Sequence, residues 1–438
     1  MLDTGQSHNP CCGIVSLVPL KDDMAEESTG SLLGKVQLST TCHRQKDVQA
    51  IITHWLQSIK LPASGAAILL KPNLNNDLSA LTGNSTDLRL LAAVIEALQQ
   101  RGCTRIIVGD GPNIGTYRKG IDVLGRLGVR ALCAHYGVEC VDFNHAPAAQ
   151  IQLATGPVRV ARLCLEAALF INLPKLKTHA EAGMSLALKS LIGCVVGTDK
   201  RLVHRDLPTN IVALNEAIHP HFTIADALIA MEGNGPGDGT PRRTDALLAA
   251  TDPFALDLVA AQLFGLDVTR IPYLSVARRR GHLTAADFDA AARLTPLVRL
   301  EPAPPRGWLV RLLDSRALAP LRDATRFLHG QEWARRLLYR LRVMQDVYQA
   351  RDARIERLWL DKARCSRCGL CLDYCPLGLP LLDPGFDFAS SACVRCLYCV
   401  QVCPEEAIHV QGDLGYLKTH LERYSERIRL LQDWRAAL

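Results

Sequence analysis

Along the first two thirds of the chain, short apolar runs alternate with segments whose apolar residues recur every three or four positions. The runs are 66–72 (AAILLKP), 105–110 (RIIVGD), 168–174 (ALFINLP), 222–231 (FTIADALIAM) and 246–253 (ALLAATDP). Continuous apolar runs of this length suit strands covered on both faces. Helical spacing falls at 46–60, 85–102, 117–136, 183–194, 209–218 and 253–264; the second begins at Ser or Thr and stops at Gly102. Strands alternating with helices predict an α/β domain over residues 1–300, a mainly parallel sheet with helices on both faces. Residues 151–163 (IQLATGPVRVARL) read as a hairpin inserted into that plan. A proline-rich linker (EPAPPRG) follows. It opens a helical linker, 301–355, rich in arginine; a small α+β domain at 356–412 and a C-terminal helix at 413–438 complete the plan.

Length and composition agree with this division. The chain has 438 residues, 48% hydrophobic and 21% charged, which suits two or more domains with real cores. It holds no apolar stretch of spanning length, about 18 residues or more. The opening MLDTGQSHNPCCGIVSLVPL has no basic lead before a long apolar run, so it does not read as a secretory signal. A cytoplasmic location is expected, with membrane contact unlooked for. Between Arg306 and Arg357 stand twelve arginines, no lysines and six acids, a surplus equal to the +6 of the whole chain. The remainder is balanced, which gives no general case for nucleic-acid binding. The arginine-rich segment reads as a bracket between domains; docking of an acidic electron donor and contact with a membrane surface are the alternatives.

Of the sixteen cysteines, eight lie in two C-x-x-C-x-x-C-x-x-x-C-P runs: Cys365, Cys368, Cys371, Cys375 and Cys393, Cys396, Cys399, Cys403. Three close cysteines can wrap one face of a cubane cluster, and the fourth ligand comes from elsewhere. In two-cluster ferredoxins that fourth ligand crosses between runs. The expected cofactors are two [4Fe–4S] clusters. One is held by Cys365, Cys368, Cys371 and Cys403, the other by Cys393, Cys396, Cys399 and Cys375. Zinc is the alternative, although its motifs usually use two pairs without a third equally spaced cysteine or a closing C-P. The segment resembles the bacterial two-[4Fe–4S] ferredoxin, including CPEEAI after the second run, and so implies a ferredoxin-like two-cluster domain. It departs where CPLGLPLLDPGFDF replaces the usual short hydrophobic strand. Leu370, Leu372, Leu397 and Val400 are placed to shield the sulfurs. Cys11, Cys12, Cys42, Cys103, Cys133, Cys140, Cys164 and Cys194 lack metal spacing and read mostly as core.

Ligands of open α/β sheets bind beyond the carboxyl ends of the strands. The predicted strand ends deliver Lys71 and Asn73, then Asp110, then Lys175, Lys177 and His179, then Glu232 with Gly233 and Gly235. The segments KPNL, LPKLKTH with LALKSLIG, and MEGNGPGDGTPR with TDPFALD resemble the family called domain of unknown function 362, over about residues 65 to 280. That resemblance implies an iron–sulfur protein and names no reaction. A small hydroxylated residue is expected where this chain has Gly111.

Lys71, Lys175, Lys177 and Lys189 are read as a shared anion site, against the plainer reading of four solvated lysines. Asn73, Asp110, Gly233 and Gly235 are read as further substrate contacts. His179 is the expected proton carrier, with Lys177, Asp226 and Glu232 as the other catalytic candidates. No G-x-G-x-x-G between strand and helix and no Walker loop occurs, which weakens an NAD or ATP claim. The functional expectation is a ferredoxin-coupled oxidoreductase acting on a carboxylate or phosphate and served by a ferredoxin- or flavodoxin-type protein. The rival is an electron-transfer or maturation factor without turnover of its own.

Overall fold

A computed structural model describes residues 14–16, 32–304, 348–389, 391–429 and 431. The predicted arginine-rich helices fall almost wholly in 305–347, outside the described residues. At the middle of the parallel part of the large sheet lies the strand Ile68–Pro72, parallel to Ile106–Asp110 on one side and Leu169–Leu173 on the other. Every residue of these three strands is buried. Successive side chains divide between two cores: Leu69 joins one, Ile68 and Leu70 the other. Both faces are therefore covered, which explains apolar runs without alternation. The helices Gln45–Gln57, Leu88–Gln100 and Val129–Tyr136 pack on one face; Leu207–Ile218, Pro253–Leu263 and Pro272–Arg279 pack on the other.

Glu139–Asp142 extends the parallel part beyond Ile106–Asp110, and Phe222–Glu232 runs parallel to Leu169–Leu173. Past Phe222–Glu232 the sheet turns antiparallel, through Thr240–Ala250, Val36–Ser39 and Ile14–Ser16. The inserted hairpin is present as a separate pair, Ala148–Leu153 with Gly156–Ala161. Three expectations change. The helix read at 117–136 is three short ones, Ile114–Arg118, Val123–Arg126 and Val129–Tyr136, interrupted at Gly120 and Gly128, both with positive φ. The helix Leu88–Gln100 is capped by Asp87, not by the Ser or Thr before it. The helix read at 183–194 is only Ala187–Ser190 and the 3₁₀ turn Leu191–Cys194. Lys175–His179 first forms its own strand, parallel to Phe222–Glu232 and closed by the antiparallel strand Gly183–Ser185. No described helix is long and apolar enough to cross a membrane.

In the small domain Arg354–Leu360 pairs antiparallel with Ile408–Asp413, and both cysteine runs lie between them. Short helices Leu370–Asp373 and Tyr398–Val402 interrupt the runs, and the helix Tyr416–Arg429 follows. The runs repeat in backbone as well as in sequence. Arg367, Gly369 and Gly378 have positive φ in the first half, and Arg395, Leu397 and Glu406 have it at the matching places in the second. The atypical segment after Cys375 forms turns, not a strand; its Leu381 and Phe388 pack with Cys371 and Cys375. Leu370, Tyr374, Val394, Tyr398 and Val402 join the same core as the helix Leu88–Gln100, so the two domains share buried surface.

Candidate functional site

The eight cysteines of the two runs lie close to one another in the small domain. Burial pushes the Cys371 thiol up to about 12, and the neighbours that add to it are Cys368, Cys403 and Cys365. Burial likewise raises Cys399, whose neighbours are Cys396, Cys393 and Cys375, followed by Cys371. Cys403 thus neighbours the first run and Cys375 the second, the arrangement that crossed ligation of two clusters would use. Three sulfurs also accept backbone N–H bonds: Cys375 Sγ from Leu379 (3.4 Å), Cys393 Sγ from Arg395 (3.4 Å) and Cys403 Sγ from Ala407 (3.2 Å). Donors aimed at sulfur favour a thiolate ligand. Among the described residues no three His, Cys, Asp or Glu side chains converge on a position for a single metal ion. A cubane instead spreads its four ligands around a larger body, and these groups fit one.

The second centre lies at the strand ends. A cavity of about 330 Å³ is bordered by Asn73, Asp110, Lys177, Lys189 and Lys200, with Pro236 at its rim. Lys71 is fully buried behind it; its ammonium lies 2.8 Å from Asp110 Oδ1 and donates to Ser190 Oγ at 3.1 Å. Burial works against that charge, but Asp110 outweighs it and the Lys71 pKa is raised. The other Asp110 oxygen accepts the Leu74 N–H at 2.6 Å, so this carboxylate is fully engaged.

Among the described residues the remaining cations have no carboxylate partner at contact distance. Lys177 donates to Asn73 Oδ1 (2.6 Å) and to the Asn84 carbonyl (2.5 Å). Burial, then Lys189 and Lys175 nearby, hold its pKa well below the usual lysine value. Lys189 is brought down to about 8 by burial, and Lys200 also to about 8, with Asp110 opposing. Lys200 donates to Asn144 Oδ1 at 2.6 Å. Sequence reasoning missed it, because GTDKRLV reads as a solvated turn and carries no spacing signal. Gly111 has a steric reason: a Cβ there would lie 2.5 Å from the Gly193 carbonyl oxygen and 3.0 Å from Lys200 Nζ. Even the smallest hydroxylated residue would collide with that backbone.

Several expected members stand elsewhere. Lys175 and Asp226 form a completely buried pair, with both carboxylate oxygens 3.1 Å from Nζ, and neither borders the cavity. A lysine already neutralised in the interior is not available to an external anion. His179 lies on the strand of Lys177 but borders a different cavity, of about 300 Å³, with Asp267 and Arg270. Its Nδ1 accepts the N–H groups of Glu181 (3.0 Å) and Ala182 (3.1 Å), which holds the turn to Gly183–Ser185. Glu232 accepts the Glu301 N–H at 3.1 Å, and Gly233 N–H donates to the Glu301 carbonyl, so both secure the chain leaving the domain. Gly235 touches strand 175–179 directly; a Cβ would sit 2.1 Å from the Thr178 carbonyl oxygen. The shared site of His179, Glu232 and four lysines is therefore not formed. Lys177, Lys189 and Lys200 are brought together instead.

The loop 83–87 joins the two centres. The Asn84 carbonyl accepts from Lys177, and Thr86 Oγ1 accepts the Asn73 N–H at 2.7 Å. On the other side Ser85 and Thr86 border a crevice of about 480 Å³ together with Cys396 and Tyr398. The Leu88 N–H donates to Tyr398 Oη at 3.2 Å, and Arg89 stacks over Tyr374 at 4.4 Å, each tyrosine next to a cysteine in sequence.

Residues 68–262 match the family described as domain of unknown function (DUF362), and residues 357–404 match the 4Fe-4S dicluster domain. A thylakoid-associated protein of Synechocystis sp. is 34% identical over 238 residues, which span 51% of this chain and 71% of that protein. Among solved structures, the lactate racemase apoprotein of Thermoanaerobacterium thermosaccharolyticum is similar at a TM-score of 0.34 and 11% identity, over 48% of this chain and 54% of that one. A Thermotoga maritima protein gives 0.28 and 13%, over 45% and 53%. The chain spans about half the length of each of these two structures. With KPNL, LPKLKTH and MEGNGPGDGTPR all inside the matched region, the chain belongs to the DUF362 family and carries an iron–sulfur domain of the electron-transfer type.

Proposed function

We propose that the protein is a ferredoxin-coupled oxidoreductase with two [4Fe–4S] clusters, and that its substrate is a small carboxylate or phosphate held between Lys177, Lys189 and Lys200. One observation carries this reading. Among the described residues three lysines border the cavity, while the one carboxylate there, Asp110, is already matched by Lys71. Bound clusters supply electrons one at a time.

The residues of the chain supply the rest. Lys177 and Lys200 are held by neutral oxygens, which fixes their Nζ atoms without pairing them with a carboxylate. A two-electron reduction of a carbonyl or alkene consumes two electrons and two protons. Lys189, with its pKa near 8, is charged at pH 7 and weak enough as a base to give up one proton. It takes the role that the position of His179 denies to that residue; the second proton comes from solvent. A ferredoxin- or flavodoxin-type protein delivers the electrons. The second reading, an electron-transfer or maturation factor, is favoured only by the separation of His179 from the lysines.

Calorimetric titration with phosphate and succinate tests the cavity. Lys189→Met should weaken binding of the preferred anion by about tenfold to a hundredfold, the value of one charge-assisted contact. Lys189 and Lys200 lose their charge as pH rises through about 8, and a bound anion raises their pKa. Affinity should thus fall above pH 8 by about tenfold per unit for each of these two groups, with proton uptake on binding. Absent binding, or an affinity indifferent to pH and to Lys189→Met, contradicts the reading.

A further inference from the structure

The two cysteine runs repeat each other in backbone yet differ in their surroundings. Around the first, Lys362, Arg364 and Arg367 are exposed, and Cys365 and Cys368 are only partly buried between them. No acidic residue occurs from 362 to 372. Lys362 donates to the Pro384 carbonyl at 3.3 Å, and the side chains of Arg364 and Arg367 make no ion pair among the described residues. The nearest carboxylate in sequence, Asp361, is turned to the backbone, where it accepts the N–H groups of Ala363 and Arg364; its other oxygen lies 4.0 Å from His409.

Around the second run the single cation is Arg395, which donates to the Ile355 carbonyl at 3.0 Å. Its neighbour Cys396 borders the crevice between the domains and abuts the α/β domain: a Cβ placed on Gly128 would be 3.5 Å from that of Cys396. One cysteine group thus presents Arg364 and Arg367 to solvent with no ion pair among the described residues, and the other faces the loop that touches Lys177.

We propose that the face of Lys362, Arg364 and Arg367 docks an acidic one-electron carrier protein. The group of Cys365, Cys368, Cys371 and Cys403 is then the arrival point of electrons, and the group of Cys375, Cys393, Cys396 and Cys399 their point of departure toward the α/β domain. In the docking step the carrier is oxidised by one electron, this protein is reduced by one, and no proton moves. Unpaired exposed arginines raise the encounter rate with a negative surface and orient it, an effect that salt screens. The assignment rests on the presence of clusters in both groups; the identity of the cavity's substrate does not enter it.

Stopped-flow mixing of cluster-loaded protein with a reduced acidic [2Fe–2S] ferredoxin tests it. At low ionic strength, Arg364→Glu/Arg367→Glu should be reduced at least about tenfold more slowly than the unaltered protein, with a flattened salt dependence. The neutral pair Arg364→Gln/Arg367→Gln should fall between. Charge reversal on the α/β domain, Arg279→Glu/Arg293→Glu, should stay within about twofold. Dithionite, too small to need docking, reports the loaded clusters in each variant, and rates are taken per reducible cluster. Equal ferredoxin rates for the unaltered protein and Arg364→Glu/Arg367→Glu overturn the proposal, as does equal slowing by the distant pair. Because the readout is cluster reduction, failure of the cavity to bind or turn over an anion leaves this test intact.

Discussion

Alanine at Cys375 should remove the cluster of the second cysteine run, not that of the run in which Cys375 lies. The reason is spatial. Cys375 is a near neighbour of Cys393, Cys396 and Cys399, whereas Cys371 has Cys403, Cys368 and Cys365 around it. A cubane that loses one thiolate has no replacement ligand here, so iron should fall from about eight to about four per chain. Pairs of substitutions make the crossing visible. Cys375→Ala with Cys396→Ala should keep about four irons, since both hit one cluster; Cys375→Ala with Cys371→Ala should lose all. Iron and acid-labile sulfide analysis of anaerobically reconstituted protein decides between these outcomes. The reverse pattern would place all four cysteines of a run on one cluster.

The second large effect concerns stability. Asp226→Ala should destabilise the α/β domain by about 3–5 kcal/mol, the usual result of leaving one buried charge without its partner. Burial already pushes the Asp226 carboxyl above its ordinary pKa, with Lys175 opposing. Asp226 Oδ2 also accepts the Asp87 N–H at 2.6 Å, and Asp87 in turn pairs with Arg89 at 2.8 Å, so the loss reaches the interface with the small domain. An apolar pair, Lys175→Met/Asp226→Leu, should recover much of the deficit because neither charge is then stranded. Denaturant unfolding of anaerobic protein measures both variants. A loss below about 1 kcal/mol for Asp226→Ala would return Lys175 to the list of available cations.

The fold was readable where one local rule decided the outcome. Apolar runs such as 68–70 and 106–108 had to be doubly covered strands, and their neighbouring helices showed clear spacing. Fold reading failed where a few residues changed the backbone locally. Gly120 and Gly128 divide one apparent helix, and Lys175–His179 takes a strand from what looked like the approach to a helix. The site was harder, because strand ends identify a neighbourhood and not a direction. Lys177 and His179 are two positions apart on one strand, yet they border separate cavities. Nor does the sequence say which lysines are neutralised: the Lys71–Asp110 and Lys175–Asp226 pairs span 39 and 51 residues. Lys200 opens the short helix Lys200–Val203, which carries no motif of its own. The iron–sulfur domain was readable because two complete runs of four closely spaced cysteines, each closed by proline, carry its signature, and residues 357–404 match it.

The most direct measurement follows the clusters' own spectrum in a single turnover. Protein reduced anaerobically and freed of excess reductant is mixed with the anion that titration shows to bind the cavity, in an oxidised form bearing a carbonyl or alkene. Reoxidation of the clusters should occur with that anion, form the two-electron-reduced product, and be slowed at least about tenfold in Lys177→Met at equal cluster content. Clusters that stay reduced in the presence of every bound anion, or that reoxidise equally fast in Lys177→Met, would contradict a cavity-based reaction and leave the protein as an electron carrier.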